Sequence, residues 1–160
     1  MLYAIQLILY CLLFTAMVKF AVRGGAIEGL YFYPKPVRER AYALGLAERR
    51  DISRKRRRFM ILFFAVMLVA LLLIIGLWDG AGDFRRAYPL ALMFLEVMNW
   101  YDGIVIDKIW VGLSGFWRLP GCEDIPYVQT WAQMLKKRLI LTLIWIPGAA
   151  VAAGLAALIF

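Results

Sequence analysis

The chain has 160 residues, of which 64% are hydrophobic, and its mean hydropathy is +0.73. A soluble domain of this size could not bury so much apolar surface, and disordered or disulfide-rich chains have a different composition, so the sequence predicts an integral membrane protein. Lys and Arg number 19 against 11 Asp and Glu, and histidine is absent. The lack of histidine excludes histidine general bases and histidine-ligated zinc or haem, and we predict no cofactor.

Four apolar stretches are long enough to span a bilayer, which takes about 20 residues of helix. They cover residues 1–22, 59–78, 87–110 and 139–160. The first stretch lacks a basic leading segment and a small-residue cleavage site, so it is predicted to be a span and not a signal peptide. We therefore expect one transmembrane domain over residues 1–160. Its predicted fold is an all-α integral membrane four-helix bundle with amphipathic cytoplasmic segments.

The charges between the spans predict an orientation. Residues 23–58 hold 11 Lys and Arg against 4 Asp and Glu, residues 108–138 hold 5 against 2, and the short turn 79–86 holds 2 of each. The positive-inside rule assigns the two basic loops, about 23–58 and 111–138, to the cytoplasm. Both termini are then extracytoplasmic, in a multi-pass protein of the bacterial cell (inner) membrane.

The first loop contains a predicted helix that starts at Pro36 and ends by Gly45. Its apolar face, formed by Val37, Ala41 and Leu44, is expected to lie on the membrane surface. A second helix, capped by Asp51 or Ser53, is expected to lead into the second span.

The basic run that precedes the second span has three interpretations: a topology signal, contact with anionic lipid headgroups, and nucleic-acid binding. No nucleic-acid-binding motif surrounds the run, so we predict no nucleic-acid partner. Under the lipid interpretation, the candidate headgroup ligands in both loops are Arg54, Lys55, Arg56, Arg57, Arg58, Lys136, Lys137 and Arg138.

The second loop is expected to contain a helix that starts at Asp124, ahead of Pro126, and ends at the bilayer edge with Lys136 to Arg138. Cys122 lies in the polar part of this loop, where we expect an ordinary thiol and no nucleophile. The fourth span then repeats small residues every fourth position, as at Ala149 and Ala153. That spacing predicts a close-packing face, either within the bundle or between subunits.

The third span gathers polar residues on one face. Glu96 is predicted to lie about 14 Å below Ala87, near the middle of the bilayer, where an ionised carboxylate needs a partner, water or a proton. Asn99 is one turn away, and Gln6 or Tyr10 of the first span could donate to Glu96. The polar face is either structural hydrogen bonding between helices or the lining of a pocket open to the inner leaflet. The pocket candidates are Gln6, Tyr10, Glu96, Asn99, Asp102, Asp107, Trp110 and Glu123.

A longer pattern runs from this span into the second loop. Asn99, Asp102 and Asp107 form an Asn-x-x-Asp-x-x-x-x-Asp run, and Pro120-Gly121-Cys122-Glu123 follows in the loop. Together with the Pro-Lys-Pro and Leu-Gly-Leu sequences of segment 33–46, this pattern resembles a family of small four-span bacterial integral membrane proteins. The resemblance implies the same membrane architecture and implies no particular activity.

Three functions remain open from the sequence. The first is a non-catalytic membrane protein whose inner-leaflet pocket binds a lipid, a small molecule or a partner subunit. The second is a small ion or proton channel or carrier that uses Glu96. The third is a divalent-metal-dependent membrane enzyme that acts on lipids through Asp102, Asp107 and Glu123. The expected partners are anionic membrane lipids, a second copy of the chain, or another membrane subunit.

Overall fold

A computed structural model describes residues 2–160, and they form helices joined by turns and loops. Four of the helices are long. One short helix and two 3-10 segments lie in the long loops. In chain order the elements are α1 Leu2–Ala21, a 3-10 segment Ala26–Phe32, α2 Lys35–Ala43, α3 Arg49–Trp78, α4 Phe84–Leu113, a 3-10 segment Gly115–Trp117, and α5 Trp131–Ile159.

All four long helices are long and apolar enough to cross a membrane, so the chain is a polytopic membrane protein. The predicted all-α four-helix membrane bundle is confirmed. Each predicted apolar stretch lies largely on one of these helices; Met1 lies outside the described residues. Helices α3 and α5 begin two turns or more before their apolar stretches, so the basic residues predicted at the bilayer edge stand on continuous helix.

Two predicted helix starts are wrong. Helix α3 begins at Arg49 after Glu48, ahead of Asp51 and Ser53. Helix α5 begins at Trp131, beyond Asp124 and Pro126, because Thr130 and Gln133 form a capping box. The Thr130 hydroxyl accepts from Gln133 N at 3.2 Å, and Thr130 N donates to the Gln133 side chain at 2.9 Å. Asp124 instead forms an exposed ion pair with Arg40 of the other loop, at 3.4 Å.

The bundle core is built on the α4–α5 pair, the most extensive helix contact in the molecule. Ala87 and Ala91 of α4 and Ala149 and Ala153 of α5 are all fully buried. Small side chains let two helix backbones approach closely, which is the main source of attraction between helices in lipid. The small-residue face of α5 therefore packs within the bundle. Pro147 lies inside α5 without interrupting it.

The two long loops form a second hydrophobic core at one end of the bundle, which we call the loop layer (residues 22–48 and 114–130). Val37 and Ala41 of α2 are buried in this layer with Trp117 and Cys122. The expectation that this face of α2 lies on the membrane surface is therefore wrong, because the other loop already covers it. Leu44 is half-exposed, and its side chain lies over Gly121.

A hydrogen bond ties the two loops together inside this layer. The Tyr33 hydroxyl donates to the Trp117 carbonyl at 2.7 Å, and both residues are buried. Burial raises the pKa of Tyr33, and Tyr127 and Cys122 add to that shift, so the hydroxyl stays protonated and remains a donor.

Helix α4 changes its winding near the loop layer. From Asp102 to Trp110 it is a π-helix, in which each carbonyl bonds to the amide five residues on. Residues five apart in sequence therefore come close to one face, whereas α-helical winding separates them. Asp102 and Asp107 are five apart, and the wider turn directs both carboxylates toward α5.

Candidate functional site

Arg138 is the centre of a buried polar group near the loop end of the bundle. Only 1% of its surface is exposed. It is thus a buried charged residue on a helix whose other side chains are mostly apolar. Its Nη1 donates to Asp102 Oδ2 at 2.7 Å and to the Asn99 carbonyl at 3.1 Å, and its Nη2 donates to Asp107 Oδ2 at 2.6 Å. One guanidinium thus joins two carboxylates and a backbone oxygen of α4.

Lys137 adds a second cation to this group, with its Nζ 3.3 Å from Asp107 Oδ2. We call Asn99, Asp102, Asp107, Lys137 and Arg138 the Arg138 cluster. Two carboxylates face two cations, so the formal charges cancel. The two carboxylates remain partly accessible, since the Asp102 and Asp107 side chains are 23% and 18% exposed.

Asn99 lies on the bilayer side of the cluster and links α4 to α5 by hydrogen bonds. It is buried, and its side-chain amide donates to the Arg138 carbonyl at 3.1 Å and to Thr142 Oγ1 at 3.3 Å. The side chains of Asn99 and Arg138 therefore each donate to the other residue's backbone carbonyl, which links α4 and α5 in both directions. The buried Arg138 Nε has no hydrogen-bond partner within the described part of the chain.

Gly103 makes room for this arrangement. A Cβ added there would lie 2.7 Å from Arg138 Nε and 2.9 Å from Met134 Sδ, closer than real side chains approach. A larger residue at this position would therefore displace the guanidinium from its two carboxylates.

The polar contacts continue one turn deeper, at Glu96. Thr142 Oγ1 donates to Glu96 Oε2 at 2.7 Å, and Asn99 Nδ2 lies 3.5 Å from the same oxygen. The other carboxylate oxygen, Oε1, is buried and has no partner among residues 2–160. Glu96 is thus linked to the Arg138 cluster through Asn99.

A cavity of about 280 Å³ opens beside the cluster. All five residues of the Arg138 cluster line it, with Tyr33, Tyr127 and Gln129 from the loop layer. The rest of its wall is apolar and largely aromatic, and it comes from α1, α3, α4, α5 and the loops. The cavity wall therefore combines a polar cluster with apolar, largely aromatic side chains. The apolar lining includes Phe14, Val18, Phe32, Phe59, Met60, Phe63, Phe64, Met98, Ile106, Val111, Trp117, Leu141 and Trp145.

Three of the eight predicted pocket residues, Asn99, Asp102 and Asp107, line this cavity. The expected hydrogen bonds from Gln6 and Tyr10 to Glu96 are wrong. The Gln6 side chain is buried and donates to Asp79 Oδ1 at 2.7 Å, at the far end of the bundle. The Tyr10 hydroxyl donates to the Met67 carbonyl at 3.3 Å.

The other predicted pocket residues also lie away from the cavity wall. Trp110 packs edge-to-face on Trp117, with ring centroids 5.2 Å apart, and Glu123 is exposed in the loop layer. Glu123 is thus not brought together with Asp102 and Asp107. Within residues 2–160, no group of three or more His, Cys, Asp or Glu side chains could hold a metal ion.

The predicted lipid-headgroup ligands divide into two sets. Those on α3, together with Lys136 and Lys137, are exposed, as headgroup contact requires. Arg138 is the exception: its guanidinium does not lie on the exposed surface and is buried between α4 and α5 with two carboxylates. Sequence reasoning missed this because consecutive basic residues point in different directions on a helix, and the charges flanking a span give no sign of which one turns inward.

Thr142 and Gln129 were not identified from the sequence. Thr142 is the lone hydroxyl residue among apolar neighbours in the fourth span, and that isolation is a signal that could have found it. Gln129 lines the cavity from the irregular segment before α5, and its carbonyl accepts from Lys108 Nζ. No sequence pattern marks Gln129, since its place depends on the loop path.

Comparison with known proteins found no match to a protein-family model, to a curated protein or to a solved structure.

Proposed function

We propose that the protein binds an amphiphilic membrane molecule in the cavity beside the Arg138 cluster. The observation that supports this most directly is the composition of the cavity wall, which combines buried polar groups with apolar, largely aromatic side chains. A polar head would meet Asn99, Asp102 and Arg138, and an apolar tail would lie along Phe59, Phe63 and Trp145. Pockets that combine apolar walls with a few fixed polar groups are the usual form of ligand sites.

The balance of charges favours a particular class of polar head. Because two carboxylates face two cations, a ligand with a net charge would leave one charge without a counterion in a poorly solvated site. A neutral or zwitterionic head with hydroxyl, amide or phosphoethanolamine groups avoids that cost. Such a head can accept from Lys137 and donate to the partly exposed carboxylate oxygens of Asp102 and Asp107.

The winding of α4 is a second line of support. π-helical segments occur frequently at functional sites, and this one, unlike the second π-helical segment at Ile74–Trp78, lines the cavity. Here the π-helical winding of Asp102–Trp110 directs both carboxylates toward one guanidinium beside a cavity. A purely structural ion pair could be built from residues four apart on an ordinary α-helix.

We also propose that the cavity lies at the cytoplasmic side of the bacterial inner membrane. The support comes from charge: the two loops that form the loop layer are basic, and the short turn at the other end is neutral. The ligand would then be an inner-leaflet lipid or a molecule that enters through that leaflet.

The experiment uses a photoactivatable phosphatidylethanolamine with a diazirine in its acyl chain, added to the protein in nanodiscs. Met60→Trp adds bulk inside the cavity, whereas Ile61→Trp is a matched control because Ile61 is 66% exposed on the outer surface. We expect cross-linking to cavity residues in the parent and in the control, and its loss in Met60→Trp.

A second pair guards against misfolding of one variant. Leu141→Trp also fills the cavity, and Leu143→Trp, at a residue that is 68% exposed, does not. Cross-links that are spread evenly over the lipid-facing surface, or that persist in both cavity-filling variants, would contradict the proposal.

One observation favours a second candidate, a proton or ion pathway through Glu96. Its Oε1 atom is buried without a partner, although a mid-membrane carboxylate oxygen normally has one. The test is proton flux into proteoliposomes that contain a pH-sensitive dye. If Glu96 conducts, Glu96→Gln should assemble normally and lose flux. Flux that is absent from the parent, or unchanged on substitution, would remove this candidate and leave Glu96 as a structural bond to Thr142.

A further inference from the structure

A second recess, which shares Phe59 with the cavity wall, lies between the end of α1 and the start of α3. It is a groove of about 350 Å³. On α3 the groove is lined by Lys55, Arg58, Phe59 and Leu62, whose spacing of three and four residues places them on one helix face. From the other side it is lined by Phe20, Ala21, Arg23, Glu28 and Tyr31. We call this recess the basic groove.

The basic groove has an unbalanced positive charge. Glu28 is paired with Lys55, its Oε2 lying 2.7 Å from Lys55 Nζ. Arg23 and Arg58 form no ion pair with any carboxylate in the described part of the chain. Two guanidinium groups therefore face the groove uncompensated, and guanidinium is well suited to phosphate because it can donate two parallel hydrogen bonds.

Tyr31 supplies a neutral donor to the same groove. Burial raises the pKa of Tyr31 to about 12, and Glu28 adds to the shift, so the phenol stays protonated at neutral pH. A protonated phenol in the wall of the groove can donate to an anion and does not repel it.

The basic groove continues onto surface that faces lipid. Phe20 and Leu62 are both nearly half-exposed, and they stand where α1 and α3 enter their apolar stretches. An anion bound between Arg23 and Arg58 would therefore lie at the headgroup level, with an acyl chain of the same molecule along Phe20 and Leu62. Free phosphate would use only the polar half of this surface.

We infer that the basic groove is a binding site for the phosphate of an anionic glycerophospholipid, held by Arg23 and Arg58 with its acyl chains on the apolar rim. The inference is independent of the cavity ligand. It also separates the basic residues of α3 that line the groove from those that contribute only to the general positive charge of the surface. Arg56 and Arg57 lie on the same helix and do not line the groove.

The test compares two double variants of the intact protein that remove the same charge. Phosphatidylglycerol is titrated into protein in neutral detergent, and bound lipid is counted by native mass spectrometry. We expect R23Q/R58Q to weaken phosphatidylglycerol binding by about fivefold for each arginine removed, whereas R56Q/R57Q stays close to the parent. Phosphatidylcholine, titrated in the same way, should bind weakly and equally to all three proteins.

Three results would overturn the inference. Equal losses in the two double variants would mean that overall basicity attracts lipid and that no site exists. Binding unchanged in R23Q/R58Q would mean that the groove does not hold phosphate. Displacement of phosphatidylglycerol by an equal concentration of inorganic phosphate or glycerol 3-phosphate would mean that the acyl chains contribute nothing. Both variants change exposed residues, and equal melting temperatures will verify that the bundle is intact.

Discussion

At the residue scale, Arg138 joins the two helices of the bundle core through charge. Its guanidinium bonds to Asp102 and Asp107 on α4 while its own backbone belongs to α5. A buried pair of this kind adds little net stability compared with well-packed apolar residues, yet removing one partner is costly because the remaining charges stay buried. Its main effect is to fix which residues of α4 face which residues of α5.

Arg138→Gln should therefore destabilise the protein strongly. The substitution leaves two carboxylates close together without their main counter-charge, and we expect a loss of about 3–5 kcal/mol in the free energy of unfolding. Thermal unfolding in detergent measures it. Asp102→Asn and Asp107→Asn added to Arg138→Gln should recover much of the loss, because no buried unpaired charge then remains; Lys137 loses its partner but is exposed to solvent. A single variant that melts like the parent would contradict this account of the cluster.

Gly103→Ala should also destabilise, by about 1–3 kcal/mol, since the new methyl group would overlap Arg138 Nε and Met134 Sδ. Gly112→Ala is the matched control on the same helix, where the nearest atom to an added Cβ is 3.6 Å away. Alanine favours helix over glycine, so Gly112→Ala should be neutral or slightly stabilising. The same melting experiment compares them, and equal effects of the two substitutions would refute the steric argument.

At the scale of elements, the loop layer is a folded unit with its own core, built from α2, two 3-10 segments and the chain between them. Its buried side chains include Leu30, Tyr33, Val37, Trp117 and Cys122. None of these elements is long, so each depends on the others to cover its apolar face. The layer covers the end of the bundle where the cavity and the Arg138 cluster lie.

Cys122 reports on the integrity of the loop layer. It is 3% exposed, and burial raises the pKa of its thiol, so little reactive thiolate is present at neutral pH. In a Cys11→Ala background, we expect slow maleimide labelling that accelerates as the pH rises. Trp117→Ala should speed labelling at least tenfold by opening the layer, whereas Leu46→Ala, at an exposed site, should not. Fast labelling of the parent would mean that the layer is open.

The sequence predicted the four-helix membrane bundle because a span depends on length and composition, which are local properties. It predicted α2 for a similar reason: Pro36 and Gly45 mark the two ends of the helix. The Arg138 cluster could not be predicted, since its geometry depends on the π-helical winding after Asp102 and on which basic residue turns inward. Both depend on packing between helices, and α-helical spacing directs Asp102 and Asp107 to different sides.

At the scale of the whole molecule, the chain is asymmetric along the direction of its helices. One end has the loop layer, the Arg138 cluster, the cavity and the basic groove. The other end has a short turn, 79–86, in which two basic and two acidic residues balance. If the basic loops are retained in the cytoplasm, the end with the loop layer faces the cytoplasm and the short turn faces outward.

We predict that a cysteine introduced at Lys55 is protected from a membrane-impermeant maleimide in intact cells, and that one introduced at Arg85 is labelled. Both residues are exposed in the folded protein, so access depends on the side of the membrane and not on burial. A Cys11→Ala, Cys122→Ala background removes the native thiols. Labelling at position 55 in intact cells, with no labelling at position 85, would reverse the orientation.

The apolar wall of the cavity reaches Phe64, which is 51% exposed on the outer surface of α3. If the proposed ligand enters there, it would move laterally from the bilayer into the cavity without crossing bulk water. Occupancy of the cavity would then depend on the mole fraction of that ligand among the surrounding lipids. It would not depend on the molar concentration of the ligand in the buffer. Diluting the membrane with inert lipid would empty the site, whereas diluting the vesicle suspension with buffer would leave it filled.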